Sequence, residues 1–395
     1  MQACLPASVR VEAVVKADAY GHGAVAVARA LQAAGIERMS VATFDEGLEL
    51  RQAGISVPIL VLFPCPPEVT VEALRHGLSL TASDRTLLDR TLATLRNAPE
   101  AQIAGLGQLQ IHLEVETGLG RGGLHPSEVA EAAAAIAAEP RACLAGLWSH
   151  LQDAADRRRT EDQAARFGIA SGLLDEVECS LPGRHLAASG GLLAATAPDY
   201  DVVRIGLALY GIVPDGLDVD ERHLVAAAGL RPVMSLKARP VRVAWLEPGT
   251  GVSYGPSFVT ERRTLVATIP VGYADGWPRS LSNRAQMLVR GSRVPAIGTV
   301  AMDAVMVDVT DVPGPQVTVD DEFVLIGRQG DDCIEALEVA RWGNTISYEV
   351  ITAMSARLAR VYYAAAEAVG IRSVACDMAL GVGAQRPTQP RRRSR

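Results

Sequence analysis

The chain has 395 residues, of which 49% are hydrophobic and 21% charged, and its formal net charge is −7. This length exceeds the usual size of a single core and predicts two domains. The negative charge argues against a nucleic-acid partner, and no stretch has the uninterrupted apolar length that spans a bilayer. The six cysteines lack the paired spacing of metal or redox sites, and the start has no secretory-signal pattern, which together favour a cytoplasmic protein.

Residues 9–210 alternate short apolar runs with amphipathic or alanine-rich segments. Helices are predicted over 24–34, over 83–96 with Ser83 as the N-cap, and over 126–138. Eight strands are predicted to begin near Val11, Met39, Val57, Leu78, Leu109, Leu144, His185 and Val202. Strands alternating with helices in this number are typical of a (β/α)8 TIM-type barrel, which we predict for residues 1–214. A doubly wound open sheet is the alternative, because a strand count does not establish closure.

The pattern changes after Gly211, where short valine-containing runs are broken by proline and glycine. This pattern predicts a β-rich C-terminal domain over residues 215–375. The predicted strands are Lys237–Leu246, Thr264–Ile269, Gln286–Val289, Ala304–Val309 and Glu322–Ile326, and the predicted helices are Glu335–Trp342 and Tyr348–Tyr363. The arginine-rich end of the chain, residues 376–395, predicts a disordered basic tail.

Lysine is rare in this chain, because Lys16 and Lys237 are the only two among 38 basic residues. Arginine supplies the same charge, but only a lysine can lose its proton when desolvated and attack a carbonyl carbon. Lys16 ends the predicted first strand, and the glycines that follow Tyr20 let the backbone approach a ligand. We therefore predict a lysine that binds a carbonyl-bearing cofactor; a lysine extending from a strand end into solvent is the alternative. Lys237 is assigned no chemical role.

In barrels of this type the catalytic groups lie at the C-terminal ends of the strands. Those predicted ends carry an amine, an aromatic ring, cations and a Ser-Gly-Gly turn, at Lys16, Tyr20, Glu114, Arg121, His150, Ser189, Arg204 and Gly206. The Ser-Gly-Gly turn that begins at Ser189, and also Gly206, lie where barrels often bind phosphate through backbone N–H groups. A planar, phosphorylated cofactor with a carbonyl group would use every part of this set, which predicts pyridoxal phosphate. Arg204 lies in an apolar strand, where an unpaired cation is costly.

Residues 14–23, Val-Val-Lys-Ala-Asp-Ala-Tyr-Gly-His-Gly, resemble the cofactor-lysine signature of bacterial alanine racemases, with Asp18 where asparagine is commoner. Further motifs of that family follow in order at residues 116–121, 148–150, 203–211, 252–255, 271–277, 301–303 and 348–349. The resemblance covers nearly the whole chain and both predicted domains. It implies racemisation of L-alanine to D-alanine for peptidoglycan precursor supply, with pyridoxal 5'-phosphate as cofactor, alanine as substrate, no metal, and a homodimer with shared active sites.

The resemblance also implies the two catalytic residues. Lys16 would hold the cofactor and exchange a proton with one face of the amino acid, and Tyr254 would act on the opposite face. Because a guanidinium can only donate, Arg204 would keep the cofactor's pyridine nitrogen unprotonated, and His150 would orient Arg204 or pack beside the ring.

The remaining implied roles concern the cofactor phosphate and the substrate. Residues implied to bind the phosphate are Tyr20, Ser189, Gly206, Leu207 and Tyr348. Arg121 would hold the phenolate oxygen and the substrate carboxylate, and Met302 and Tyr273 would shape the substrate pocket. Of the other histidines, His22 is expected near the site but not in the chemistry, and His76, His125, His185 and His223 are expected to be structural or at the surface.

The chain departs from the family in two places. Many members carry a carbamylated lysine at the position of Glu114, whose carboxylate could orient Arg121 directly from a shorter arm; a solvated strand-end acid is the alternative. Relatives also have a helix and a strand before the signature strand, so we expect the natural start to lie further upstream.

Three other functions remain open from the sequence. A racemase for serine, lysine or arginine is one, because Ala301 replaces a usually polar residue and could loosen the pocket. A non-catalytic pyridoxal-phosphate-binding protein is another, but such single-barrel proteins lack the β domain that carries Tyr254. A decarboxylase of the same fold type is the third; it would place an acid beside the pyridine nitrogen, where this chain has Arg204.

Overall fold

The computed structural model describes residues 5–175, 183–198, 200–364, 366–374 and 377–379. Its first sheet has eight parallel strands in the order β7-β6-β5-β4-β3-β2-β1-β8. Strands β1 to β8 are Arg10–Val14, Met39–Val41, Ile59–Val61, Leu78–Ala82, Leu109–Glu114, Ala142–Trp148, Arg184–His185 and Val202–Ile205. A parallel bridge between Ala188 and Arg204 joins the chain after β7 to β8, so the two edges of the sheet meet. The predicted barrel is confirmed, and the open sheet is not the arrangement found.

Helices connect and cover the barrel strands. Helices α1 to α8 are Ala24–Ala33, Phe44–Gln52, Thr70–Arg75, Arg85–Asn97, Glu100–Ile103, Val129–Ala137, Arg157–Asp175 and Ser189–Leu193. The N-cap of α4 is Asp84 and not the predicted Ser83, because the Asp84 side chain accepts the Leu87 N–H at 2.8 Å. Among the described residues, no helix has both the length and the apolar character needed to cross a membrane.

The barrel interior is unusually polar. In β1 and β8 the outward-facing Val11, Val203 and Ile205 form an apolar cluster with α8. Strand side chains alternate between faces, so Glu12 and Arg204 point into the barrel. Both are almost fully buried, and six further polar side chains of the barrel strands are buried as well, namely Ser40, Ser79, Thr81, His112, Glu114 and His185.

The second part of the chain forms an antiparallel sheet in the order β10-β11-β14-β13-β12-β15-β16, with β9 paired to β15. Strands β9 to β16 are Leu236–Ala238, Arg242–Leu246, Thr264–Ile269, Gln286–Val289, Ser292–Ile297, Val305–Asp308, Phe323–Gln329 and Asp332–Ile334. Helices α9 to α11 are Leu224–Ala228, Ala336–Gly343 and Ser347–Thr352. Strands β17 to β19, Arg360–Ala364, Glu367–Arg372 and Asp377–Ala379, form a separate three-stranded sheet.

The C-terminal predictions needed three corrections. The predicted helix over Tyr348–Tyr363 is wrong beyond Thr352, because residues 360–364 form β17, whose Val-Tyr-Tyr sequence favours a strand. The predicted strand Lys237–Leu246 is two strands, since Pro240 has no N–H for a ladder. Residues 377–379 are strand within the predicted tail, and residues 380–395 lie outside the described part, as do Cys4, Cys179 and Cys376.

Candidate active site

Lys16 stands at the start of a strained turn. Ala17, Asp18 and Ala19 have φ of 53° and Tyr20 has φ of 52°, so four consecutive residues with side chains are left-handed. This conformation costs energy at each such residue and persists only where the surroundings enforce it. The Asp18 carboxylate enforces it by accepting the Ala24 N–H at 2.8 Å and Nη1 of Arg372 at 2.7 Å. The turn therefore holds Lys16 in place at the carboxyl end of β1.

The surroundings of Lys16 favour its neutral amine. Lys16 is half-buried. Burial is the main cause that lowers the pKa of its amine, and the nearby cations of Arg121 and Arg204 lower it further, while Glu46 opposes them. An amine with a lowered pKa is the nucleophile that a carbonyl-binding lysine needs.

Arg204 is buried in the barrel, with both terminal nitrogens occupied. Its Nη1 donates to Nδ1 of His185 at 2.7 Å and to the His185 carbonyl at 3.1 Å. Its Nη2 donates to the carbonyls of Ser149 at 2.6 Å and Leu186 at 3.3 Å and to Nδ1 of His150 at 3.1 Å. No hydrogen bond within the described residues uses Nε. The Nε–H is therefore the donor that remains for a ligand.

The histidines around Arg204 are neutral. Burial, assisted by the Arg204 charge, lowers the pKa of His150 to about 3 and that of His185 well below its usual value. Because Arg204 can only donate, Nδ1 of each ring accepts and the ring protons lie on Nε2. His185 then donates from Nε2 to Nδ1 of His112, 3.3 Å away. His185 was expected to be structural or at the surface, and its contact with Arg204 was not predicted.

His112 was not identified from the sequence. One signal was available, because Leu109, Ile111 and Leu113 of β5 are buried and alternation turns His112 to the opposite face. The ring fits because the neighbouring strand carries Gly146, where an added Cβ would lie 2.5 Å from Nδ1 of His112.

The residues predicted to bind phosphate lie together. Ser189 Oγ accepts the N–H of Gly206 at 3.0 Å and that of Ala208 at 3.3 Å, which leaves its own hydroxyl proton available. A Cβ at Gly206 would lie 2.6 Å from the Tyr20 hydroxyl, so a larger residue there would displace that hydroxyl from the cradle. The rings of Tyr20 and Tyr348 are 6.2 Å apart, and Leu207 is buried beside them. Burial raises the pKa of Tyr20, which keeps its hydroxyl a donor.

Glu114 and Arg121 form a pair at the carboxyl end of β5. Nη2 of Arg121 lies 3.4 Å from Oε1 of Glu114, and its guanidinium stacks over the Phe63 ring. Glu114 is only 5% exposed, so it is not the solvated acid that was the alternative. Burial raises the pKa of Glu114, and Arg121 acts in the opposite direction.

The remaining predicted residues lie on the second part of the chain. Tyr254, Tyr273 and Met302 are 73%, 41% and 52% exposed, respectively. Tyr254 follows Ser253, whose hydroxyl donates to the Thr299 carbonyl at 2.6 Å. In the described part of the chain, no hydrogen bond, ion pair or ring contact joins any of the three to Lys16. The structure thus assembles one set of residues around Lys16 and leaves the Tyr254 set on the surface.

The chain is similar to known proteins over almost its whole length. The family model for the alanine racemase N-terminal domain matches residues 1–214, and that for the C-terminal domain matches residues 233–362. The alanine racemase of Halothermothrix orenii is 38% identical to this chain, and the match covers 91% of each protein. The alanine racemase of Symbiobacterium thermophilum is 41% identical, and the match covers 89% of this chain and 90% of the relative.

Solved structures have the same architecture. The alanine racemase of Clostridium difficile 630 superimposes with a TM-score of 0.84 at 30% identity, covering 94% of this chain and 93% of that one. The alanine racemase of Bacillus anthracis, solved with bound L-Ala-P, gives a TM-score of 0.84 at 31% identity with the same coverage.

Proposed function

Because the chain belongs to the alanine racemase family, we propose that it interconverts L-alanine and D-alanine with pyridoxal phosphate, using Lys16 and Tyr254 as the two proton-exchanging groups. The observation that carries this proposal is the Lys16 site. There an amine with a lowered pKa shares one end of a barrel with Arg204 and with the Ser189–Gly206 cradle. We assign the protein to the cytoplasm.

The residues present fit the proposed cofactor. The Nε–H of Arg204 is the donor left for a ring nitrogen, and the glycine at 206 leaves room beside the Tyr20 hydroxyl for a phosphate. The hydroxyls of Tyr20, Ser189 and Tyr348 would donate to that phosphate, together with the backbone at Gly206 and Leu207. When bound, the cofactor withdraws electrons from the substrate and makes its α-proton acidic.

The protein's own groups would then move the proton. Lys16 Nζ would take it from one face of the α-carbon, and the Tyr254 hydroxyl would deliver one to the other face, which inverts the configuration. Arg204 can only donate, so it would hold the ring nitrogen unprotonated and limit side reactions such as transamination. His150 would orient Arg204 through the 3.1 Å contact, and Arg121 would bind the substrate carboxylate.

We propose that the active unit is a homodimer with shared sites. The support is that Tyr254 is 73% exposed and has no contact with Lys16 within the described part of its own chain. A two-fold dimer would bring Tyr254 of one subunit to Lys16 of the other. Tyr273 and Met302, also exposed, would then border the substrate beside the partner's cofactor.

The experiment is a substrate panel. Purified protein with pyridoxal phosphate is incubated separately with L-alanine, L-serine, L-lysine and L-arginine, and the enantiomers are separated by chiral chromatography. We expect D-alanine to form fastest. Faster conversion of serine, lysine or arginine would establish the broad-specificity alternative, and no conversion of any amino acid would establish a non-catalytic cofactor-binding protein.

A further inference from the structure

The barrel interior holds an acid that the proposed chemistry does not use. Glu12 is 1% exposed and lies on β1 directly beside Arg204 of β8, its partner in the parallel ladder. Side chains of paired residues in a parallel ladder point to the same face, so the two share the inside of the barrel. Interiors of such barrels are normally filled by branched apolar residues, which makes a carboxyl group at this position costly.

Arg204 needs a counter-charge that its own hydrogen bonds do not supply. Its acceptors are three backbone carbonyl oxygens and two ring nitrogens, of His185 and His150. Both rings are neutral, because burial lowers the pKa of each. Within the described part of the chain, the guanidinium is thus a buried cation with no anion in hydrogen-bond contact, an arrangement that destabilises a fold unless an opposite charge lies nearby.

Among the described residues, two carboxyl groups act on Arg204, and each has an arginine partner of its own. Glu114 contacts Arg121 at 3.4 Å. Glu12 contacts Nε of Arg38 at 3.6 Å through one oxygen, and its other oxygen, Oε1, has no hydrogen-bond partner within the described residues. Burial lowers the pKa of Arg204 to about 10, and among the charges that oppose this lowering Glu12 acts most strongly. Burial also raises the pKa of Glu12, and the cations of Arg38 and then Arg204 oppose that rise. Glu12, the ladder neighbour of Arg204, is therefore the acid placed to balance it.

We propose that Glu12 is a positioning residue, whose carboxylate supplies the counter-charge that keeps Arg204 seated in the barrel with its Nε–H free. The role of Glu12 as a counter-charge depends only on the residues inside the barrel. The consequence for the cofactor rests on the proposed function, because it requires that Arg204 contact the cofactor.

The counter-charge is tested by thermal unfolding of the full chain without added cofactor. The variants are Glu12→Gln, Arg204→Gln, Arg38→Gln, and the two pairs that combine Glu12→Gln with each arginine change. Glu12→Gln strands a buried cation and is expected to lower the unfolding midpoint by roughly 10 °C. Arg204→Gln removes that cation together with five hydrogen bonds, so the comparison is between backgrounds: Glu12→Gln is expected to lower the midpoint less in the Arg204→Gln protein than in the native protein.

Arg38 provides the decisive comparison, because it is the nearer ion-pair partner of Glu12. A smaller effect of Glu12→Gln in the Arg38→Gln protein, with an undiminished effect in the Arg204→Gln protein, would overturn the proposal. So would an unchanged midpoint in Glu12→Gln, which would mean that the native carboxyl group is uncharged. If Glu12→Gln is insoluble, soluble yield replaces the midpoint in the same comparison: a smaller loss of yield in the Arg204→Gln protein supports the proposal, and a smaller loss in the Arg38→Gln protein alone, or in neither, overturns it.

The positioning role is tested by the dissociation constant of pyridoxal phosphate, measured by titration of the full chain freed of cofactor. Glu12→Gln is expected to weaken binding about tenfold and Glu12→Asp to weaken it less, because aspartate retains the charge. The matched control is Glu139→Gln, since Glu139 is 3% exposed and pairs with Arg96 at 3.2 Å outside the barrel. The control is expected to melt lower but to bind the cofactor as the native protein does.

Equal weakening in Glu12→Gln and Glu139→Gln would overturn the positioning role, since it would reflect general destabilisation. If the native protein binds no pyridoxal phosphate, the proposed function fails, but the unfolding comparison still decides the counter-charge.

Discussion

At the scale of single residues, the chemistry of Lys16 depends on the pH at which its amine loses a proton. Burial and the cations of Arg121 and Arg204 lower its pKa, so a larger share of the amine is neutral near pH 7 than in a solvated lysine. Lys237 shows the contrast, because it is exposed and its Nζ lies 2.8 Å from Glu322 in a surface ion pair. The same residue type is therefore a desolvated amine in one place and a solvated charge in the other.

The first prediction concerns Lys16. Lys16→Arg is expected to be as inactive in alanine racemisation as Lys16→Ala, because arginine keeps the charge but cannot attack a carbonyl group. Borohydride reduction of the cofactor-loaded native protein, followed by peptide mass spectrometry, is expected to find the cofactor on Lys16. Lys237→Arg is the control and should retain full activity. An adduct on Lys237 would contradict the assignment.

Glu114 is one of the positions at which the chain departs from the family pattern. We propose that its carboxylate orients Arg121, as the 3.4 Å contact and the burial of Glu114 suggest. Glu114→Gln keeps the shape but removes the charge, and is expected to reduce kcat/KM for alanine at least tenfold, by about 1.4 kcal/mol or more of transition-state stabilisation.

The charge can be returned by a different route. Glu114→Lys is expected to regain activity when bicarbonate is added, because a carbamylated lysine again presents a carboxylate. Glu114→Gln, which cannot be carbamylated, is the control and should not respond to bicarbonate. Full activity of Glu114→Gln would show that the carboxylate has no part in holding Arg121.

At the scale of structural elements, the left-handed turn links Lys16 to the C-terminal three-stranded sheet. Asp18 is paired with Arg372 of β18 at 2.7 Å, and Arg360 of β17 donates to the Gly21 carbonyl at 3.0 Å. Gly21 itself has φ of +78°, and a Cβ there would lie 2.1 Å from the Ile351 carbonyl oxygen of α11. The turn and the second part of the chain thus fit together only with glycine at this position.

The element-scale prediction uses two glycines with similar backbones. Gly21→Ala meets both a strained φ and a backbone collision, and is expected to lower the unfolding midpoint strongly and to weaken pyridoxal-phosphate binding at least tenfold. Gly54→Ala is the control, since Gly54 has φ of +85° with open space around its Cβ position. Gly54→Ala should lower the free energy of unfolding by about 1 kcal/mol and leave pyridoxal-phosphate binding unchanged. Equal effects of the two variants would show that strain alone, and not the contact with α11, matters.

At the scale of the whole molecule, the residues proposed for one reaction lie on two separate surfaces. Lys16, Arg204 and Ser189 lie at the carboxyl end of the barrel, whereas Tyr254 is exposed on the second part of the chain. We propose that the domain boundary falls near residue 214, where the barrel has ended and Asp215 accepts hydrogen bonds from the N–H and hydroxyl of Ser347. Association of two chains would then complete each site.

The whole-molecule prediction is complementation. Lys16→Ala and Tyr254→Phe homodimers are each expected to be nearly inactive. In a mixed dimer with shared sites, one site carries both lesions and the other carries none. Co-refolding equal amounts is therefore expected to restore about a quarter of native activity, since about half of the dimers are mixed and each has one intact site. No restoration on mixing would show that Tyr254 serves its own chain, and co-refolding native protein with each variant is the control.

The sequence by itself determined the local features of this protein. Apolar runs at regular spacing located the barrel strands, and Thr264–Ile269 and Gln286–Val289 were predicted to the residue, because strand formation there follows from side-chain type and alternation. The chemistry available at each strand end, including the lysine at 16 and the buried arginine at 204, is likewise a property of residue identity.

Only the tertiary structure decided which of those groups become neighbours. His112 and His185 are 73 positions apart, and Glu12 and Arg204 lie side by side only because β1 and β8 pair. Burial then fixes their charges, since the pKa of His112 falls to about 3 inside the barrel. The strand at 360–364 has a Val-Tyr-Tyr sequence that favours a strand, and its pairing with β18 decides it against the predicted helix. Pairing and burial arise between distant parts of the chain, and a local pattern of residues contains neither.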